Sequence, residues 1–196
     1  MSRGTQVYLH SILEKSTVNG PGERTVIHFQ GCTIGCKGCF NVHTWAHKKV
    51  EPSVVKDVLT NVTAMGNDIT ISGGEPLEQM PALLKLLYGI KRRMPDKTVI
   101  IFTGMTKEVL EKYGILGFLA LAGVDLVIAG PYDQDKSITN DLRGSHNQEF
   151  IFLSNNIVEE DLQGRRLEIV AGADGSLTMS GFPSKKLAIA IQRAGE

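Results

Sequence analysis

The chain has 196 residues, and at about 100 to 200 residues per domain this bounds it to one domain with a substantial core. Lys+Arg (21) cancel Asp+Glu (21), so there is no basic field of the kind that non-specific nucleic-acid binding relies on. The basic pairs Lys48-Lys49, Arg92-Arg93, Arg165-Arg166 and Lys185-Lys186 are scattered and read as solvated faces.

The opening MSRGTQVYLHSILEK has no uninterrupted apolar core or small-residue cleavage site, and no stretch approaches about 18 apolar residues. The expectation is a soluble, cytoplasmic protein without a membrane partner. Apolar, β-branched runs then alternate with helical patterns, the signature of βα units around a largely parallel sheet. Residues 25–30 (TVIHFQ) read as a first strand, closed by Gly31. Over residues 52–65, Val54, Val55, Val58, Leu59, Val62 and Met65 follow helical spacing, with Pro52 suited to a first turn. Residues 68–72 (DITIS) form a short strand running into Gly73-Gly74, and residues 77–94 form a helix stopped by Pro95. A third strand at 97–103 ends at Gly104, helical stretches follow at 106–113 and 115–122, and a strand at 124–129 ends in Gly130-Pro131.

Residues 133–148 (DQDKSITNDLRGSHNQ) are polar without periodicity, and a loop of that length is usually functional or mobile. Short strands at 149–153, 166–171 and 176–179 follow, with Asp174-Gly175 as a hairpin signal and a closing helix at 183–194. Residues 1–196 therefore read as one domain, with a hairpin and helix extension at about 149–196. An eight-unit barrel needs about 250 residues, so the expected architecture is α/β with an open, partial parallel (β/α) barrel. Ligands in such folds bind beyond the carboxyl ends of the strands, where the glycine-rich turns and the cysteines gather.

All three cysteines fall in one window, Gly31-Cys32-Thr33-Ile34-Gly35-Cys36-Lys37-Gly38-Cys39-Phe40, with C-x3-C-x2-C spacing. An odd number in eight residues argues against a disulfide framework and for a metal site in a reducing compartment. Thiolates ligate iron–sulfur clusters, and three of them leave one iron of a four-iron cluster open. Zinc is the rival, with His28, His43 or His47 as a fourth ligand; it would make the chain a non-enzymatic metal module.

The cysteine spacing after a strand, followed by Ser72-Gly73-Gly74-Glu75-Pro76 at the end of the next, resembles the radical S-adenosylmethionine (SAM) enzymes. Val18-Asn19-Gly20-Pro21-Gly22, Gly38-Cys39-Phe40-Asn41 with Thr44-Trp45, and Leu142-Arg143-Gly144-Ser145 with Asn147-Gln148 resemble the activating enzymes of anaerobic ribonucleotide reductases. The resemblance covers about residues 5 to 150. It implies that Cys32, Cys36 and Cys39 hold a [4Fe-4S] cluster whose fourth iron is chelated by SAM. Gly38 and Phe40 would flank the cofactor, and Gly73 and Gly74 would admit backbone close to the SAM amino group, with Glu75 as an acceptor for it. Thr103 would touch the ribose. Arg143, Ser145 and Asn147 would bind the SAM carboxylate or an incoming glycine loop, and Asn19-Gly20-Pro21-Gly22 would rim the site.

The implied reaction is one-electron reductive cleavage of SAM to methionine and a 5′-deoxyadenosyl radical, which takes a hydrogen atom from a glycine of the partner. The partner would be a glycyl radical enzyme, most simply anaerobic ribonucleotide reductase, and a one-electron donor such as flavodoxin would reduce the cluster. A small radical SAM enzyme acting on another peptide or small molecule is the alternative. Glu75 stands where the family often has aspartate, and Ala129 where it tends to have one, a change that bears on partner docking.

Overall fold

The computed structural model describes residues 4–47, 49–138, 141–162, 167–171 and 177–181. In chain order these form β1 (Gln6–Val7), β2 (Leu9–Ser16), β3 (Arg24–Phe29), β4 (Ser53–Val54), α1 (Val55–Met65), β5 (Asp68–Gly73), α2 (Met80–Arg93), β6 (Val99–Thr103), α3 (Lys107–Lys112), α4 (Ile115–Leu121), β7 (Leu126–Ala129), β8 (Glu149–Phe152), β9 (Leu167–Ala171) and β10 (Leu177–Gly181). The main sheet has the order β2-β3-β5-β6-β7-β8. Its four central strands are parallel, while β2 and β8 pair antiparallel at the edges. Each parallel strand lies beside its predecessor with no reversal of order. Right-handed crossovers then put every connecting helix on one face, the wrapping of a barrel segment, as expected.

The central strands carry near-continuous apolar runs because both faces are covered. Ile27, Phe29, Ile69, Ile71, Val99, Ile101 and Val127 join the helices in one core. Ile100, Leu126 and Ile128 turn the other way, under Leu142, Ile157 and Leu162. α1 contributes Val55, Val58, Leu59 and Val62, and α2 contributes Leu83, Leu86, Leu87 and Ile90, the same i, i+3, i+4, i+7 stripe in each. Lys91, Arg92 and Arg93 close α2, where cations complement the helix dipole.

Two strands precede the one expected to come first. β2 escapes a period-two reading because its pairing with β3 shifts register between Leu9 and Ser11 and again between Leu13 and Ser16, so its burial does not alternate. β9 and β10 pair antiparallel, with Ala171 opposite Leu177; the expected turn at Asp174-Gly175 and the helix at 183–194 lie outside the described residues.

The Asn19-Gly20-Pro21-Gly22 segment, expected at the rim of the site, joins β2 to the amino end of β3 instead, at the opposite end of that strand from the cysteines. The fully buried Arg24 donates there from Nε to Thr70 Oγ1 (2.7 Å), from Nη1 to the Pro21 carbonyl (3.1 Å) and from Nη2 to the Ile69 carbonyl (2.6 Å). Asn19 donates to Ser16 Oγ and Ser180 Oγ (2.8 and 2.6 Å), which fastens β10 to the same end.

Candidate active site

The loop from Gly31 to His47 leaves the carboxyl end of β3 and folds back beside it. Gly31 N–H donates to the Thr44 carbonyl (2.7 Å) and Cys32 N–H to the Trp45 carbonyl (3.0 Å), so the two arms of the loop lie together. Cys39 N–H donates to the Cys36 carbonyl, and Asn41 N–H to Cys39 Sγ (3.4 Å). The three thiols are free and half-buried, and all three line one cavity. Its opposite wall comes from the ends of the next three parallel strands: Gly73-Gly74-Glu75, Thr103-Gly104 and Gly130. One site shared by the strand ends is thus what the chain builds.

The two glycines act first on the backbone. Gly73 has φ +100°, and a Cβ there would strike the backbone of Phe29; one on Gly74 would overlap the Gly31 carbonyl. Gly74 N–H donates to the Phe29 carbonyl and Glu75 N–H to the Gly31 carbonyl (2.8 Å each). The pair therefore seats the root of the cysteine loop against β5, a packing requirement that exists without any ligand. Gly38, by contrast, is not in the cavity wall; its Cα faces the Gln134 side chain. Phe40 does line the cavity, its ring 5.0 Å from that of Tyr132.

Glu75 is 1% exposed, yet it accepts three hydrogen bonds: Leu77 N–H and Thr103 Oγ1 on Oε1 (3.0 and 2.8 Å), and Gly104 N–H on Oε2 (2.8 Å). Burial outweighs these donors and pushes its carboxyl up to about 7. Thr103, expected at a ribose, spends its hydroxyl on Glu75 and accepts Met105 N–H (3.1 Å). Burial likewise raises the Cys32 and Cys36 thiols, against a backbone hydrogen bond from Tyr132 in the case of Cys36.

The late segment folds on itself as a lobe. Gln148 accepts Gly144 N–H and Ser145 N–H on Oε1 (2.6 and 3.2 Å) and donates to the Gly130 carbonyl (2.9 Å). Gly144 and Gln148 reach the cavity wall; Arg143, Ser145 and Asn147 do not. Arg143 forks onto Asp141 (Nη2 to Oδ2 2.5 Å, Nε to Oδ1 3.1 Å) and lies over the Phe150 ring at 4.7 Å. A neighbouring carboxylate has claimed the guanidinium expected at a ligand carboxylate. Ser145 is buried and accepts Asp133 N–H, while Asn147 donates to the Pro131 carbonyl (2.7 Å) and leaves Oδ1 buried without a partner. Ala129 is buried in the helix-side core.

Sequence reasoning missed Tyr132, Gln134 and Glu78. Glu78 accepts Thr33 N–H (2.8 Å) and Thr33 Oγ1 (2.6 Å) on Oε1, and meets His47 Nε2 with Oε2 (2.7 Å). Its only signal was an acidic residue in the turn opened by Pro76.

The donor set suits an iron–sulfur cluster: three unpaired thiols in one cavity, on a loop whose chain reversals fall at glycines. The zinc alternative fares worse. His43 lies against His10 (ring centroids 4.6 Å apart) and His47 is taken by Glu78.

Residues 18–151 match a family described as a 4Fe-4S single cluster domain. The chain is similar to the anaerobic ribonucleoside-triphosphate reductase-activating protein of Pasteurella multocida, 33% identical over 142 residues, which are 67% of this chain and 88% of that one. The protein of the same name from Vibrio cholerae is 29% identical over 71% of this chain and 94% of its own length. A pyruvate formate-lyase-activating enzyme of Staphylococcus aureus is 39% identical over 92 residues, 43% of this chain and 37% of that one. On these grounds the chain belongs to the 4Fe-4S single cluster domain family and, within it, to the anaerobic ribonucleoside-triphosphate reductase-activating proteins.

Proposed function

We propose that this chain is a radical SAM activase that generates a glycyl radical on a partner enzyme, most simply an anaerobic ribonucleotide reductase. The observation that carries this reading is the convergence of three free thiols with Gly73-Gly74-Glu75 and Thr103-Gly104 on one cavity. Cys32, Cys36 and Cys39 would hold the [4Fe-4S] cluster, and SAM would lie between it and the strand ends. When bound, these two cofactors supply reductive cleavage of SAM and hydrogen-atom abstraction from glycine.

The chain's own residues bind, orient and exclude water. Glu75 fixes the β5 and β6 ends to each other through Thr103 and Gly104, which sets the width of the cavity. One lone pair, on Oε2, remains as an acceptor for an ammonium group, whose positive charge would offset the burial that disfavours the ionised carboxylate. Phe40, Trp45 and Tyr132 give the wall an aromatic, weakly hydrated character that shields a reactive radical from solvent. Asn147 Oδ1 is buried with no donor, behind the cavity wall rather than in it, and is not a contact for SAM in this reading. The chemistry needs no protein general acid or base.

A flavodoxin-like protein is the proposed electron donor. The cytoplasm is the proposed compartment, because three unpaired cysteines persist only under reducing conditions. Zero net charge supports a partner other than nucleic acid, and among the described residues no helix is long and apolar enough to cross a membrane. The test is anaerobic incubation of the reconstituted protein with SAM, reductant and an anaerobic ribonucleotide reductase. A glycyl radical doublet in the electron paramagnetic resonance spectrum of the reductase, absent when SAM is omitted, is expected; its absence from that reductase would remove it as the partner.

A further inference from the structure

One side chain touches both arms of the cysteine loop from outside the cavity wall. Glu78 lies in the 3-10 turn Pro76–Gln79 that continues from Gly73-Gly74-Glu75. Oε1 takes both the backbone N–H and the hydroxyl of Thr33, the residue after Cys32, and Oε2 takes His47 at the far end of the loop. The carboxylate therefore ties the Cys32 arm, the returning arm and the end of β5 into one unit. The Cys36–Cys39 side is held differently, by packing of Gly38 on Gln134 and of Phe40 on Tyr132. The Glu78 side chain is 19% exposed and its three bonds lie toward solvent, so they hold by acting together on one carboxylate rather than by burial.

We propose that Glu78 is a positioning residue for the cluster: it fixes the Cys32 arm in its ligating place and puts a negative charge beside that edge of the cluster. The inference rests on the reading of Cys32 as a cluster ligand. Two consequences separate geometry from charge. Removing the side chain frees Thr33 and His47 together, and outer-shell partners of this type are typically worth about 10- to 100-fold in metal retention. Replacing the carboxylate by an amide keeps an acceptor for Thr33 and gives His47 a donor, but deletes the charge. A nearby negative charge disfavours adding an electron, so its loss raises the reduction potential of the cluster.

The test compares wild type, Glu78→Ala, Glu78→Gln and Cys32→Ala after anaerobic reconstitution, with circular dichroism verifying the fold of each apoprotein. Iron loss to a chelator and the midpoint potential from a redox titration are read out. Glu78→Ala should release iron about 10- to 100-fold faster than wild type. Glu78→Gln should retain iron within a few-fold of wild type, by the same scale, while its potential moves upward. Equal iron release from Glu78→Ala and wild type overturns the proposal, and so does a Glu78→Gln variant as leaky as Glu78→Ala or unchanged in potential. A Cys32→Ala protein that keeps a full four-iron cluster overturns the functional reading beneath it, a distinct failure.

Discussion

The two ends of the parallel strands are built from opposite logics. At the amino ends, Arg24 and Asp125 are buried with their polar atoms closed on neighbours, although Glu168, opposite Ser180 in the β9–β10 pair, leaves Oε2 buried without a partner. Arg24 is spent on Thr70, Thr98 and two further carbonyls, and Asp125 accepts Val99 N–H, Ser154 Oγ and Asn156 Nδ2. At the carboxyl ends the chain leaves groups open: three free thiols, a carboxylate with one unused lone pair and one buried amide oxygen without a donor. A fully satisfied polar network stabilises and specifies, whereas unsatisfied groups are costly unless something binds them. The contrast separates scaffold from site without appeal to any relative.

Breaking the scaffold end should produce the largest stability effect. Arg24→Leu strips several buried acceptors of their donor and is expected to cost about 3 kcal/mol or more in denaturant unfolding. In that variant the cluster spectrum should survive in the fraction that folds. Gly74→Ala attacks the seam between scaffold and site, since its Cβ overlaps the Gly31 carbonyl. Overpacking of this type costs about 1–3 kcal/mol, and iron retention should fall with it because the displaced segment is the root of the cysteine loop.

Glu75 sharpens the comparison through pH. Its carboxyl stands at about 7 in the fold against an ordinary 4.5, because burial penalises the charged form. A raised carboxyl contributes stability that is full below the ordinary value and is lost as pH rises through the folded one. Unfolding curves of the apoprotein between about pH 4.5 and 7 should therefore show wild type losing stability relative to Glu75→Gln, which cannot ionise. A gap that stays constant over that range would remove the buried charge from the account. The smallest effect belongs to Arg143→Ala. Its ion pair with Asp141 is partly exposed and should be worth about 1 kcal/mol or less, and SAM binding measured by calorimetry should be unchanged, because the guanidinium does not line the cavity.

Much of this was legible before any coordinates. Strands 25–30, 68–72, 97–103 and 124–129 lie within a residue or two of β3, β5, β6 and β7, because doubly covered strands write themselves as apolar runs. The C-x3-C-x2-C spacing located the thiols for the same local reason. What stayed hidden depends on contacts distant in sequence. β2 is masked by its bulges, whereas the pairing of Arg143 with Asp141, two positions away, was within reach of the sequence. Glu78 reaches Thr33 across 45 positions, a pairing that no spacing rule announces.

The most direct measurement is reductive SAM cleavage by the anaerobically reconstituted protein, with 5′-deoxyadenosine and methionine followed by mass and Cys36→Ala run in parallel. The account predicts about four irons bound per chain and both products from the native protein, with neither the cluster nor cleavage in Cys36→Ala. A native protein that takes up zinc but no iron–sulfur cluster, or a Cys36→Ala variant that cleaves SAM as well as the native chain, would contradict it.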